Sequence, residues 1–384
     1  MPRVVEIFFK FLALGCVSFG GPAAHIGYFR IAFVQKLNWI DNDSYAKLVA
    51  LSQFLPGPGS SQVGFAIGLR RAGIFGGVAA FLGFTLPSFL LLYLLAVIGL
   101  DASDHGVFTG IIVGLKLLAV VVVADACISM FISFCQDKLS ISLAVGATIL
   151  LLVYPSLWTQ MAILIIAGCM GACFRRTERV EVRSNKRLRI SLVPFILFLV
   201  IFIGLPLLAT NNQILKLFSD FYYAGSLVFG GGHVVLPLLQ QSVGDAISTD
   251  QFLTGYAAAQ AVPGPMFSLA TYLGASLMPE NQFLAATVAT IAIFLPGFLL
   301  ILALQNTWES LTKIPSVEGA VAGINAAVVG LLLAALYQPI FVSAVMKPLD
   351  MALVILGLFF LRVMRVPVVW LVAGFAAVGV IVQL

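Results

Sequence analysis

Charge is what this chain lacks most. Only 10% of its 384 residues are Asp, Glu, Lys or Arg, against about a quarter in a soluble domain. A solvated globular surface is therefore excluded. Histidine is almost as scarce. His25, His105 and His233 stand far apart, with no metal-ligand pattern around them. The five cysteines, Cys16, Cys127, Cys135, Cys169 and Cys173, all lie in apolar stretches. Cys169 and Cys173 share a helix face, but no His or acidic pair completes a metal set, so all five read as small buried apolar residues. No G-x-x-x-x-G-K-[ST] phosphate loop is present, and there is no room for a nucleotide domain, which argues against ATP-driven transport by this chain alone. No flavin or haem signature and no nucleophile–base set point to an enzyme, and no cofactor or metal is expected. Glu6 and Lys10 interrupt the first apolar run and no small-residue cleavage site follows, so the first span is expected to stay in the mature protein.

What the chain has instead is apolar sequence. Hydrophobic residues make up 61% of it. Runs of helical length fall at about 5–33, 45–69, 73–98, 107–135, 139–154, 157–174, 190–209, 214–238, 252–277, 283–306, 317–343, 348–362 and 366–384. Each crossing of a bilayer about 30 Å thick needs roughly 20 residues. The chain reads as an all-α polytopic integral membrane protein, with the pairs 139–154/157–174 and 348–362/366–384 short enough for tight hairpins. The net charge of +5 is no nucleic-acid signal, because the positive residues sit in loops beside apolar spans. With the N-terminus cytoplasmic, Arg70, Arg71, Lys138, Lys313, Arg362, Arg365 and the basic run 175–189 lie inside. Asp41, Asp43, Asp101, Asp104 and Glu280, with Lys36 and Lys347, lie outside.

The chain also repeats itself. "SFGGPAAH" at 18–25 returns as "VFGGGHVV" at 228–235, and "QFLPGP" at 53–58 returns as "QAVPGP" at 260–265. "TLPSFLLL" at 85–92 returns as "FLPGFLLI" at 294–301, and "GIIVGLK" at 110–116 as "GAVAGIN" at 319–325. The offset stays at 207 to 210 throughout, and Asp43 meets Asp250 at 207. Such order at near-constant spacing predicts two homologous repeats of about six helices. The extra span at 190–209 makes seven crossings between equivalent points. An odd number inverts the second repeat. The predicted division is 1–174 for the first repeat, 175–213 for a basic cytoplasmic linker plus connecting helix, and 214–384 for the second repeat.

The Pro-Gly-Pro stretches are the expected site. Proline removes a backbone donor and glycine loosens the chain. Broken backbone at membrane depth is tolerated only where it is buried in protein or lines a wet cavity. Pro56-Gly57-Pro58 and Pro263-Gly264-Pro265 are therefore predicted to split their spans into half-helices. The N–H groups that follow favour an anion at a helix N-terminus. Gly59, Ser60, Ser61 and Gln62 follow the first break, and Met266, Phe267 and Ser268 the second. Gln53 and Gln260 precede them. Phe19-Gly20-Gly21-Pro22 and Phe229-Gly230-Gly231-Gly232 are the partner interruptions, read either as pathway lining or as close helix packing. Lys10, Arg30, Lys116 and Asp125 are charges within predicted spans. Lys116 or Arg30 is expected to offset a bound anion, and Asp125, His25 and His233 are the candidates for proton coupling. Arg30 and Lys10 also fit surface anchors.

These residues resemble the chromate ion transporter family. The match rests on "FGGPAAH", "QFLPGPGSSQVGFAIG", "FGGGHVVLPLL", "QAVPGP" and "GINAAVVGLL" at 323–332. It covers nearly the whole chain, in the order of the two-domain, long-chain members. The resemblance implies a carrier in the bacterial inner membrane that exports chromate and confers chromate resistance. It implies the same candidate residues around the Phe-Gly-Gly and Pro-Gly-Pro stretches. "GLKLLAVVVVADA" at 114–126 departs from the GINAA-like pattern, so the halves have specialised. The partners implied are chromate and the lipid bilayer. Sulfate or another oxyanion as cargo, a uniporter or channel in place of alternating access, and a homodimer stay open.

Overall fold

A computed structural model describes residues 2–19, 21–101, 106–174, 191–209, 212–229, 232–243, 246–305 and 315–383. Gly20, Gly230, Gly231, Asp104, His105, Lys313 and the basic run 175–189 lie outside the described residues. Within them every regular element is helical. In chain order the helices are α1 (Pro2–Val17), α2 (Gly21–Phe29), α3 (Asn42–Phe54), α4 (Gly59–Asp101), α5 (Gly106–Phe134), α6 (Lys138–Val153), α7 (Leu157–Phe174) and α8 (Leu192–Leu208). They continue with α9 (Gln213–Leu227), α10 (Val235–Val243), α11 (Thr249–Ala261), α12 (Leu269–Leu277), α13 (Gln282–Leu304), α14 (Pro315–Ala335), α15 (Pro348–Leu358) and α16 (Val368–Gln383). A π-helical turn, Arg30–Lys36, extends α2, and another, Leu336–Phe341, extends α14.

Four helical stretches are long and apolar enough to cross a membrane: Gly59–Ile98, Thr109–Phe134, Pro279–Leu304 and Pro315–Ala344. Shorter apolar helices at 138–153, 158–174, 192–208 and 368–381 run beside them. The chain is a multi-pass membrane protein. Its outer surface fits lipid, with Trp158, Phe75, Val193 and Leu207 all well exposed. Helix α8 has no fully buried residue and lies against α9 and α13 from outside. Cys16, Cys169 and Cys173 also face outward, which corrects the expectation that all five cysteines are buried. Only Cys127 and Cys135 are.

The entry into the fold corrects a second expectation. The run 5–33 is not one span. Glu6 in α1 lies 4.0 Å from Arg71. The Arg71 guanidinium sits over the Trp39 ring at 5.0 Å, Trp39 stacks on Phe33, and Phe33 stacks on Phe11 of α1. The loop after α2 therefore returns to the end of the bundle where α1 begins, and α1 and α2 form a hairpin. Asp41 in that loop caps α3 by accepting from the Ser44 N–H. The same bond, together with backbone N–H groups, holds the exposed carboxyl below the usual carboxylate range. The segment α3 then runs inward, and the first limb of α4 comes back. At Ala72 (φ −146°) and Gly73 (φ +65°) the chain reverses beside Arg71, and the second limb of α4 crosses the whole bundle. Lys36, Asp41 and Asp43 thus share an end with Arg71 and are not at the opposite side. Sequence alone misled here because a helical hairpin broken at its tip has the same apolar length as one interrupted span.

The runs 214–238 and 252–277 fold likewise, from the other end. Ser191 at the start of α8 donates to the Ala303 carbonyl near the end of α13, so α8 carries the chain to the far end. There α9 descends and α10 returns, then α11 descends and α12 returns. Asn212 caps α9, and a Ser248–Gln251 capping box starts α11. Lys116 of α5 meets Asp250 at this end.

This arrangement is checked by labelling single cysteines with an impermeant thiol reagent in a cysteine-free background. Asp41→Cys and Glu280→Cys are expected to react from opposite membrane faces, and Asp41→Cys and Lys138→Cys from the same face. Reaction of Asp41→Cys and Glu280→Cys from one common face would overturn the hairpins.

Candidate functional site

The four hairpin tips meet. Helix α3 stops at Leu55, which is extended (φ −80°, ψ 147°) as a residue before proline should be. Pro56 and Pro58 have no N–H to offer. Gly57 does, at φ +117°, a region that favours glycine, and it donates to the Val228 carbonyl at 2.7 Å. Gly264, at φ +108°, donates to the Ser18 carbonyl at 2.9 Å. Each Pro-Gly-Pro glycine is therefore bonded to the residue just before a Phe-Gly-Gly stretch far away in sequence. The glycines also abut the two proline-containing crossing helices. A Cβ on Gly57 would come 3.1 Å from Gly297 Cα, and one on Gly264 would come 2.9 Å from Ser88 Oγ.

Polar side chains fill this layer. His25 is fully buried. Its Nε2 lies 3.2 Å from the Ser18 carbonyl and its Nδ1 3.2 Å from Ser60 Oγ. A carbonyl only accepts, so Nε2 carries the proton, and in the neutral ring Nδ1 accepts from the Ser60 hydroxyl. Gln62 Nε2 donates to the Pro56 carbonyl at 2.8 Å and to Gly297 at 3.3 Å. Ser88 and Ser268 hydroxyls pair at 2.7 Å. Ser60 and Ser61 lie in the first turn of α4, where backbone N–H groups lack partners one turn earlier. Gly59 opens that turn.

The layer is also under-bonded. Seven buried side-chain polar atoms have no partner among the described residues, and four of them are here: Ser18 Oγ, Ser61 Oγ, Gln62 Oε1 and Thr85 Oγ1. Native interiors leave few such atoms unpaired. The three hydroxyls among them, Ser18, Ser61 and Thr85, can donate beside a helix N-terminus, which suits an anion, whereas Gln62 Oε1 only accepts.

The second break is equipped differently. The Tyr256 hydroxyl and His233 Nδ1 are 2.9 Å apart. Gln260 Nε2 lies 2.8 Å from Met266 Sδ and 3.5 Å from His233 Nδ1. Pro58, Pro263 and Pro265 are buried, Pro56, Phe19 and Gly21 are half-buried, and Gln53 is exposed at the end of α3. The charges expected near the anion have other partners. Lys116 Nζ meets Asp250 at 2.7 Å, Asp125 meets Arg362 at 2.9 Å, and exposed Arg30 donates to Asn42 at 3.1 Å. Sequence reading overlooked Ser18, Thr85, Ser88 and Tyr256 as site residues. The first three lie within or beside the repeated landmarks, which was the available signal.

The family model described as Chromate transporter matches over two regions, residues 5–172 and 215–380. The chain belongs to the chromate transporter family. Among relatives of this family, a chromate transport protein of Pseudomonas aeruginosa is 27% identical over 97% of this chain and 91% of its own length. One from Cupriavidus metallidurans is 26% identical over 98% and 92%. A transporter of Methanocaldococcus jannaschii is 27% identical over 87% and 83%. No solved structure matches the chain. The two regions that match the family model begin just inside the chain and at α9, and each contains one Pro-Gly-Pro break.

Gly57→Ala and Gly264→Ala are each expected to lower transport at least tenfold while membrane insertion persists, because an added Cβ meets both strained φ and close neighbours. Normal flux in both variants would remove the breaks from the site. Lys116→Ala and Asp250→Ala are expected to have non-additive effects in a double-mutant cycle, as a paired charge gives. Additivity would mean that Lys116 acts alone.

Proposed function

We propose that the chain is a secondary carrier that exports chromate, or a closely similar tetrahedral oxyanion, across the bacterial cytoplasmic membrane by alternating access. Chromate resistance would follow from that export, and the chain is read as a carrier rather than an enzyme. The observation that carries the site is the reciprocal bonding of Gly57 to Val228 and Gly264 to Ser18, beside four unpartnered polar atoms. The dianion sits between the hairpin tips. The N–H groups after Pro58 and the hydroxyls of Ser61, Ser18 and Thr85 donate to it, and the Ser60 hydroxyl joins them when His25 is protonated and its Nδ1–H donates to Ser60 Oγ. Gln62 closes one side, and Ser268 with Ser88 the other.

Inverted repeats at 1–174 and 214–384, joined by 175–213, are part of this reading. Asp41 and Ser248 cap α3 and α11 at an offset of 207. Ser88 and Gly297, the partners of the two break glycines, stand 209 apart. The second limb of α4 with α5, α6, α7 and α8 gives five crossings between the first and second pair of hairpins. That number is odd, as inversion requires, although two fewer than the sequence count. Carriers of this kind bind cargo at the repeat interface, and one repeat rocks against the other. Each reciprocal bond joins a hairpin tip of one repeat to a hairpin tip of the other, so breaking one while keeping its mate opens the site to one side.

Two further points belong to the reading. His25, Asp125 and His233 are the coupling candidates, and protonation of His25 adds positive charge beside Ser60. An inside-negative potential itself favours dianion exit, so sulfate carriage or uniport by the same site is the alternative.

The test is chromate uptake into everted membrane vesicles, with excess sulfate and with the proton gradient collapsed. Saturable uptake that falls at least tenfold in Ser60→Ala/Ser61→Ala is expected. Equal loss of uptake in sulfate would make the site a general oxyanion site. No uptake under any energised condition would overturn the chromate assignment.

A further inference from the structure

The last two helices enclose a cleft away from the hairpin tips. Helices α15 and α16 are joined by a short turn, yet each packs along α5 and the two scarcely touch each other. Between them lies a cleft of about 300 Å³. It runs from Leu353 to Phe360 on α15 and from Val366 to Val378 on α16, and every residue lining it is aliphatic, aromatic or glycine. Leu371 and Phe375 are buried in it, while Leu356, Phe360 and Trp370 are exposed. At about 1.5 Å per residue, the α16 wall is about 18 Å long. That is close to the depth of one leaflet, half of a hydrocarbon core about 30 Å thick. A Cβ on Gly374 would meet nothing within 4 Å, so the cleft is open there.

Positive charge stands at one end of this cleft. Arg362 and Arg365 lie in the turn between the helices, and both are exposed. Arg362 donates to Asp125 of α5 at 2.9 Å. Asp125 comes nine residues after Lys116, which meets Asp250 at the far end. The turn therefore lies about 14 Å along α5 from that pair, toward the end of the bundle where α1 begins. Asp125 already offsets Arg362. Arg365 pairs with no carboxylate among the described residues, so its charge is left uncompensated. Its backbone is unusual as well. Arg365 sits at φ +55°, a region that glycine accepts and most side chains avoid. The turn is held around it by the Met364 N–H, which donates to Phe359 at 3.1 Å, and the Val366 N–H, which donates to Phe360 at 3.0 Å. Trp370, 70% exposed, follows within two turns, and indole rings favour the headgroup level.

Apolar walls one leaflet deep and a positive mouth match a lipid with a negative head. We infer that the α15–α16 cleft binds an anionic phospholipid of the leaflet at that end, with one acyl chain along the apolar walls and the phosphate at Arg365. Arginine suits this role because its planar N–H fork bonds phosphate oxygens in pairs. A zwitterionic lipid fills the same walls but brings its own cation to Arg365, so the head and not the chain sets the preference. Positive φ at Arg365 is then a local cost kept for the placement of its charge. The inference depends on the chain's place in a membrane and not on its cargo.

The purified full chain is titrated with phosphatidylglycerol and, separately, with phosphatidylcholine, and bound lipid is counted by native mass spectrometry. Phosphatidylglycerol is expected to bind about fivefold tighter, the scale of one basic residue at a charged headgroup. Arg365→Gly removes the head contact and relieves the positive φ. It is expected to fold at least as well as the parent, by thermal melting, and to lose the preference. Gly374→Leu, which grows into open space, is expected to weaken both lipids at least threefold. Equal affinity for the two lipids in the unaltered chain would overturn the site, as would an unchanged preference in Arg365→Gly or unchanged binding in Gly374→Leu. A disulfide between two copies of Gly374→Cys, in a cysteine-free background in membranes, would give the cleft to a second copy of the chain and overturn the lipid. Because the readout is bound lipid, failure of chromate uptake leaves this inference standing.

Discussion

Unpaired backbone inside an apolar bundle is the constraint on which this structure depends. Two Pro-Gly-Pro breaks and two Phe-Gly-Gly stretches end helices at depth, where water cannot satisfy the freed groups. The solution is reciprocal. The Gly57 N–H goes to Val228 and the Gly264 N–H to Ser18. Neither bond can form within one hairpin, so each pair of hairpins is completed only by the other. The positive φ of both glycines is what turns these N–H groups outward from their own helices.

The same constraint explains where polar residues gather. Ser18, Ser60, Ser61, Gln62, Thr85 and Ser88 surround the hairpin tips, and His25 bridges Ser60 to the Ser18 carbonyl. Elsewhere most of the interior is closed by rings and methyl groups, and buried polar side chains such as Thr271 and Thr290 pair with each other. The charges of α5 are paired, Lys116 with Asp250 and Asp125 with Arg362. At the first break a dianion would meet dipoles first. That suits passage, because donors held in place stabilise charge without the desolvation cost of a lone buried ion.

Much of the candidate site was legible beforehand. Gly57, Gly264, Ser60, Ser61 and Ser268 were identifiable because Pro-Gly-Pro inside an apolar run has only one physical use, a broken helix with free N–H groups. His25 was visible as a lone intramembrane histidine. Its bridge to Ser60 was not, because the two are 35 residues apart and joined only by packing. Lys116 looked like a free charge for the same reason. Its partner Asp250 lies on another hairpin, and no local spacing reveals that.

Composition and pattern alone determined the helical membrane class and the positions of the breaks, since these depend on local apolar length and missing N–H donors. Tertiary structure alone decided that the runs 5–33 and 45–69 double back to the N-terminal end and that the runs 214–238 and 252–277 double back to the far end. Apolar length is the same for a crossing and for a return. Which one forms depends on what stands across from the break to accept its hydrogen bonds, and those acceptors, Ser18 and Val228, lie some two hundred residues away.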